Sequence, residues 1–210
     1  MEDKLIEDPF ELAESFNEFF KKKVENLAAG IKSHVDPLLR LKEKLKASKL
    51  KFSLKTVSEK DVLKILQALK PKKSSGKDGI TSEIMKIGSK FLVVPLTYMI
   101  NFSILTGKFP TNWKIAKVVP LHKKGDKKLL KNYRPVSLLP VAGMILEKVE
   151  ALQIEEFFEK NGLLGSFQFG FRKNKSTVTE LLTMFDKILE AKNRKKEVSV
   201  LLYDLPSNIT

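Results

Sequence analysis

Apolar residues recur at helical spacing along most of the chain. Asp8-Pro9-x-Glu11 is a helix start: Asp caps, Pro takes the first helical position and Glu reaches back. Leu12, Phe16, Phe19, Phe20, Val24 and Leu27 then fall on one face, which predicts a helix docked on the chain's own core. Residues 32–51, rich in Lys and Leu, predict an exposed second helix or a linker. Ser58-x-x-Asp61 opens another helix, carries Val62, Leu63, Ile65, Leu66 and Leu69, and stops at Lys70-Pro71. Lys72 to Gly79 has turn composition. Thr81 to Gly88 and Phe91 to Thr106 predict two helices, stopped by Gly107 and Pro110. Val141 to Lys160 is helical up to Asn161-Gly162. Ser176 caps a last helix to about Asn193, with Leu181, Leu182, Phe185, Ile188 and Leu189 facing inward.

Two stretches depart from this period. Val198 to Tyr203 is a continuous β-prone run, as in a strand buried on both faces. Trp113 to Leu139 begins and ends apolar, with eight cations between: Lys114, Lys117, Lys123, Lys124, Lys127, Lys128, Lys131 and Arg134. Asp126 is its one acid, and Gly125-Asp126 is a tight-turn signal. The expected shape is a hairpin with cations at its tip, suited to gripping phosphates.

Composition sharpens that reading. The chain has 210 residues, enough for one sizeable core or a domain with a helical extension. Its formal charge is +14, from 39 Lys+Arg against 25 Asp+Glu, which points to a polyanionic partner, nucleic acid first and an acidic membrane surface second. There is no cysteine, so disulfides and cysteine zinc sites are excluded and a reducing compartment fits. The N-terminus has no apolar core of a signal peptide. Phe91 to Leu105, the longest apolar stretch, is shorter than a bilayer span and holds Pro95 and Asn101. A nuclear or cytoplasmic protein is expected, not secreted and without a membrane partner.

Four places carry candidate chemistry. Arg134 offers a rigid fork suited to phosphate oxygens, and Pro135 fixes the backbone beside it. Lys123 and Lys124 either add to the same charge or belong to a solvated turn. Lys72, Lys73 and Lys77 flank Gly76 and Gly79 in a loop that lacks Walker spacing, which rejects an ATPase. Such a loop can still present N–H groups and charge to a nucleic-acid backbone, or be an ordinary exposed turn. In Gln168-x-Gly170-Phe171-Arg172 an aromatic beside Arg can stack a base while the cation holds a phosphate, with Phe167 and Phe169 expected in the core. Asp204 ends the β-prone run, where strands disfavour Asp; a cap on the turn before Pro206 is one account of it.

Four blocks stand in an order that resembles one family. Lys72 to Ile80 (KKSSGKDGI), Trp113 to Leu139, Asn161 to Thr177 (NGLLGSFQFGFRKNKST) and Val200 to Leu205 (VLLYDL) look like successive segments of a non-LTR, LINE-type retrotransposon reverse transcriptase. The resemblance implies an α+β, mostly helical fold: an incomplete right-hand polymerase with a helical extension over 1–55, fingers over 56–196 and the first palm strand over 197–210. It implies that Arg134, Lys123 and Lys124 meet the triphosphate of the incoming nucleotide. Lys72, Lys73 and Lys77 would meet the template, and Gln168, Gly170, Phe171 and Arg172 would lie near the templating base. Asp204 would be the first carboxylate of a two-Mg²⁺ nucleotidyl transferase. Partners would be an RNA template or RNA/DNA hybrid.

The sequence departs from the family after Asp204. Pro206 interrupts the segment expected to run on from the strand, and no Asp-Asp pair occurs anywhere. One carboxylate does not hold two magnesium ions. The expectation is a truncated polymerase fragment that binds nucleic acid but does not polymerise, with Asp204 vestigial and Mg²⁺ not bound stably. Its rivals are a co-opted RNA- or DNA-binding module and an interaction protein that self-associates or docks on a full-length polymerase through an open palm edge.

Overall fold

The computed structural model describes residues 8–30, 38–39 and 50–203. Most of the segment 32–51, and Asp204 to Thr210, lie outside the described residues. Among these residues are six α-helices and one two-stranded sheet, so the mostly helical α+β expectation holds at that level. The chain divides into two compact units, up to Glu155 and from Glu156 onward.

In the first unit, helix α1 spans Pro9–Gly30. Its start is capped as the sequence predicts: Asp8 Oδ1 accepts from the Phe10 and Glu11 N–H groups at 2.8 and 2.9 Å. Its apolar stripe docks only at the middle. Phe16 is buried edge-on against Tyr133, with ring centroids 5.0 Å apart, and Phe20 stacks on Phe16. Leu12, Val24 and Leu27, expected on the docked face, are exposed.

The core is built by α2 (Glu59–Ala68), α3 (Ser82–Ile87), α4 (Ser89–Thr106) and α5 (Val141–Lys160). Val62 and Leu66 of α2 meet Met85, Val93, Leu96, Ile100, Val141, Ile145, Leu146 and Val149. The α2 start is a capping box, with Ser58 and Asp61 bonding each other's backbone N–H. Two helix amides clamp the strand-like lead-in to α2. Asn101 accepts from the Val57 N–H at 2.8 Å and donates to its carbonyl at 2.9 Å, and Gln153 treats Lys55 the same way. Helix α4 runs past the apolar stretch seen in sequence to 18 residues, and is long and apolar enough to cross a membrane by length and composition alone. Its Val93, Leu96 and Ile100 nevertheless face the protein core.

Strands β1 (Lys117–His122) and β2 (Tyr133–Leu138) form the expected hairpin, antiparallel with Lys117 opposite Leu138 and His122 opposite Tyr133. The connection is not a tight turn but residues 123–132. Gly125 adopts a left-handed φ of +84°, and Asp126 Oδ1 accepts from the Lys128 N–H at 2.9 Å. Asn132 donates to the Asp126 carbonyl at 2.8 Å and Tyr133 Oη to that of Lys127 at 3.0 Å, so the loop is folded back and tied from within.

The second unit carries the end of α5, a long loop and α6 (Thr177–Asn193), which opens on a Ser176/Thr179 capping box. Leu181, Leu182, Phe185 and Leu189, expected to face inward, are exposed, and α6 has no buried residue. The helical period identified the apolar face; nothing in this unit is broad enough to cover it. Val198 to Tyr203 forms no strand. A strand needs a neighbour to take its N–H and C=O groups, and among the described residues this run has none.

Candidate nucleic-acid interface

Strand alternation sorts the hairpin into two faces. Lys117, Val119 and Leu121 share one with Arg134, Val136 and Leu138; Val118, Pro120 and His122 share the other with Tyr133, Pro135 and Ser137. The second face is the one α1 touches. Phe16 packs on Tyr133, whose ring lies 5.2 Å from that of His122. On the first face Arg134, Lys117, Val119 and Leu121 are exposed while Val136 and Leu138 are half-buried; on the second, Pro120, His122 and Tyr133 are half-buried while Val118, Pro135 and Ser137 are exposed. The Lys123 N–H donates to the Asn132 carbonyl at 2.8 Å, which continues the ladder by one pair. By alternation that puts Lys123 on the Arg134 face. Lys124 lies outside the ladder, exposed in the loop.

The 72–79 loop is packed against the far end of the same hairpin. Gly76 is buried, and a Cβ there would sit 2.6 Å from the Pro140 nitrogen and 2.7 Å from the Leu139 carbonyl carbon. Only glycine permits that approach. The loop is closed by a Ser75–Thr81 bridge, by the Lys72 N–H donating to Ser82 Oγ at 2.9 Å and by Ser82 Oγ donating to the Lys70 carbonyl at 2.8 Å. Asp78 Oδ1 accepts from the Ile80 N–H. Lys72, Lys73 and Lys77 project from this fixed loop into solvent. Two sequence blocks are thus one surface, with Arg134 four residues along β2 from Leu138, roughly 13 Å at the usual strand rise. Spacing alone did not reveal the contact; a glycine between Ser75 and Lys77 was its only trace.

In the second unit the Gln168-x-Gly-Phe-Arg block is arranged differently from the sequence expectation. Arg172 is turned inward and only 14% exposed. Its Nε and Nη2 donate to the two oxygens of Glu159 at 3.1 and 2.9 Å, and Nη1 donates to the Gly165 carbonyl at 3.0 Å. That fork is occupied by a carboxylate, the partner that suits it best. Phe169 is buried as expected, but Phe167 is exposed with the Lys187 ammonium 3.9 Å above its ring. Gln168, Gly170 and Phe171 are exposed.

Asp204 lies outside the described residues. A two-magnesium site needs several converging carboxylates. Among the described residues no three acidic or histidine side chains gather, so no step through a metal is derived from this geometry. The carboxyls with a shifted pKa lie elsewhere. Asp61 is lowered, first by its bond to the Ser58 hydroxyl; Glu150 is raised, first by burial and then by Glu147.

Comparisons with known proteins agree on one kind of relative. The chain is 26% identical over 157 residues to a probable RNA-directed DNA polymerase from transposon BS of Drosophila melanogaster, covering 74% of this chain and 17% of that protein. It is 28% identical over 146 residues to the corresponding polymerase of transposon X-element from the same organism, 69% of this chain and 16% of the relative. It is 29% identical over 150 residues to the RNA-directed DNA polymerase from mobile element jockey of Drosophila funebris, 71% of this chain and 16% of the relative. No family model matches. The chain spans about a sixth of the length of the curated relatives it matches. The four ordered blocks and these matches coincide: over about 70% of its length the chain is similar to RNA-directed DNA polymerases of transposons and mobile elements.

Proposed function

We propose that this segment holds nucleic-acid phosphates on behalf of an RNA-directed DNA polymerase. Residues 56–196 act as its fingers, 1–55 as a helical extension and 197–210 as the start of its palm. Arg134 and Lys123, with Lys124 beside them, grip the phosphates of an incoming nucleotide. Lys72, Lys73 and Lys77 follow the backbone of an RNA template or RNA/DNA hybrid. Asp204, outside the described residues, is vestigial in this reading: one carboxylate does not hold two magnesium ions, and Mg²⁺ is not bound stably. Binding, not catalysis, is the activity proposed for the described residues themselves.

The observation that carries this reading is the two-sided hairpin. Phe16 packs on Tyr133 of one face, while Arg134, exposed and with no ion pair among the described residues, shares the other face with Lys123. A fixed, desolvable cation on rigid strands suits phosphate recognition better than a mobile tail does.

The test is fluorescence anisotropy of a labelled single-stranded RNA over a range of salt. Affinity should fall steeply with salt, and Arg134→Ala with Lys123→Ala should reduce the log–log slope by about 1.4, two phosphates at ~0.7 each. Both side chains project from an exposed face, so the circular dichroism spectrum should not change. A flat salt response, or a double variant with unaltered slope and affinity, refutes the reading.

A further inference from the structure

Helix α4 is apolar on two faces, and the core uses only one. Val93, Leu96 and Ile100 enter the core, with Thr97 and Ser103 buried beside them. On the other side Phe91, Val94, Tyr98, Phe102 and Leu105 are 86, 55, 72, 55 and 75% exposed. At 3.6 residues per turn these five positions fall on one narrow stripe. Tyr98 and Phe102 stack with ring centroids 6.4 Å apart, so the middle of the stripe is a preformed aromatic surface. From Phe91 to Thr106 there is no charged residue; Lys90 and Lys108 lie just beyond the ends, both exposed.

Two properties of the stripe say what covers it. The first is area. Its three rings alone expose roughly 400 Å², at about 200 Å² a ring. Val94, Met99 and Leu105 carry the patch past what a monomer ordinarily leaves to water, and toward the ~800 Å² each partner gives to a standard interface. The second is symmetry. The spacings along the stripe are three, four, four and three residues, the same read from either end. Tyr98 is the centre of that pattern and lies at the middle of α4. Laid antiparallel on its own copy, the helix puts Tyr98 on the two-fold axis. Phe91 then meets the second copy's Leu105, and Val94 meets its Phe102. That is the self-complementary patch an isologous dimer requires. With no charge on the stripe, the pairing buries no like charges.

We propose that α4 is a contact between two copies of this chain, crossing antiparallel through Phe91, Val94, Tyr98, Phe102 and Leu105. The face is distinct from the β-prone run at 198–203 and carries none of the cations assigned to phosphate. It also answers salt in the opposite sense. Each copy carries +14, so screening strengthens the pair, whereas it weakens phosphate contact. The proposal therefore stands or falls independently of the nucleic-acid reading.

The experiment is sedimentation equilibrium of the full chain without nucleic acid, over a range of protein and salt concentrations. Monomer should exchange with dimer, and the dimer should gain as salt rises. Tyr98→Glu sets two carboxylates face to face on the axis and should raise the dissociation constant at least about tenfold. Tyr98 is exposed in the single chain, so the circular dichroism spectrum should not change. The chain has no cysteine, so single introduced thiols read the geometry. Under mild oxidation Tyr98→Cys should crosslink to its own copy. Phe91→Cys should not, because antiparallel pairing sets the two Phe91 positions roughly 21 Å apart along the helices. A mixture of Phe91→Cys and Leu105→Cys chains should crosslink to each other. Preferential crosslinking of Phe91→Cys to itself would mean a parallel pair and overturn the arrangement. A dimer that Tyr98→Glu leaves intact overturns the contact. A chain monomeric under every condition overturns the proposal, and flotation of that chain with phosphatidylcholine vesicles would assign the stripe to lipid instead.

Discussion

Gly76 and Gly79 stand three residues apart in the same loop for different physical reasons, and alanine at each separates them. At Gly76 a Cβ would lie 2.6 Å from the Pro140 nitrogen, 2.7 Å from the Leu139 carbonyl carbon and 2.9 Å from the Pro140 Cα. All three are backbone atoms, so no side chain can swing away, and carbon contacts are comfortable only near 3.5–4 Å. Either the loop or the end of the hairpin must move by nearly ~1 Å. Inserted methyls of this kind cost about 1–3 kcal/mol. At Gly79 the Cβ position is open but φ is +73°, so alanine there meets only the left-handed penalty, about 1 kcal/mol. Urea unfolding followed by circular dichroism reads both. Gly76→Ala should shift the midpoint by the larger amount at an unchanged m-value. It should also weaken RNA binding, since it displaces the residues that lead out of β2. Gly79→Ala should shift the midpoint less and leave binding close to the parent's. A Gly76→Ala protein as stable as its parent, with the same RNA affinity, would refute the packing of this loop on the hairpin.

The remaining predictions concern the first unit. Asn101→Leu strips both a donor and an acceptor from the Val57 backbone and should cost about 1–3 kcal/mol in urea unfolding; no loss would mean that the lead-in to α2 finds other partners. Burial, reinforced by Glu147, raises the Glu150 carboxyl above its ordinary 4.5. The folded chain therefore holds that proton more tightly than the unfolded chain, and the associated stability, complete below pH 4.5, is lost as pH rises through the folded value. Glu150→Gln should accordingly gain stability over the parent at neutral pH and show no advantage below pH 4.5 in thermal unfolding; a gain independent of pH would refute this.

What the sequence revealed followed from local rules. Asp8, Ser58 and Ser176 announced helix starts because capping is a contact between near neighbours, and each of these side chains caps its helix. The hairpin was legible from two β-prone runs around a polar turn, but its loop was not. Gly125-Asp126 has the chemistry of a tight turn, yet Asn132, Tyr133 and His122 reach back to the loop backbone and stabilise a longer connection. The fate of apolar faces was illegible for the opposite reason. Periodicity says which side of α1 or α6 is apolar, not whether anything is present to bury it. Arg172 fell between these cases. Its type suits a phosphate and a carboxylate equally, and Glu159, thirteen positions earlier, is brought to it by the turn after α5.

Charge and coverage together explain why the hairpin has an asymmetric build. A formal +14 leaves the chain self-repelling unless a polyanion is bound. Among the described residues the ion pairs are Lys22–Glu18, Lys64–Asp61, Arg172–Glu159 and Arg194–Glu190, and these take up none of Arg134, Lys124, Lys72, Lys73 or Lys77. Those cations sit instead on the elements that are most firmly tied by other means: a ladder backed by Phe16, and a loop locked by Gly76 and Ser82. Rigidity there does not come from neutralising the charge, so the charge remains for a ligand. A two-stranded hairpin alone would be marginal in water. The Phe16–Tyr133 contact supports it on the side opposite Arg134, and the half-buried Val136 and Leu138 lie on the other, so neither support uses the exposed guanidinium.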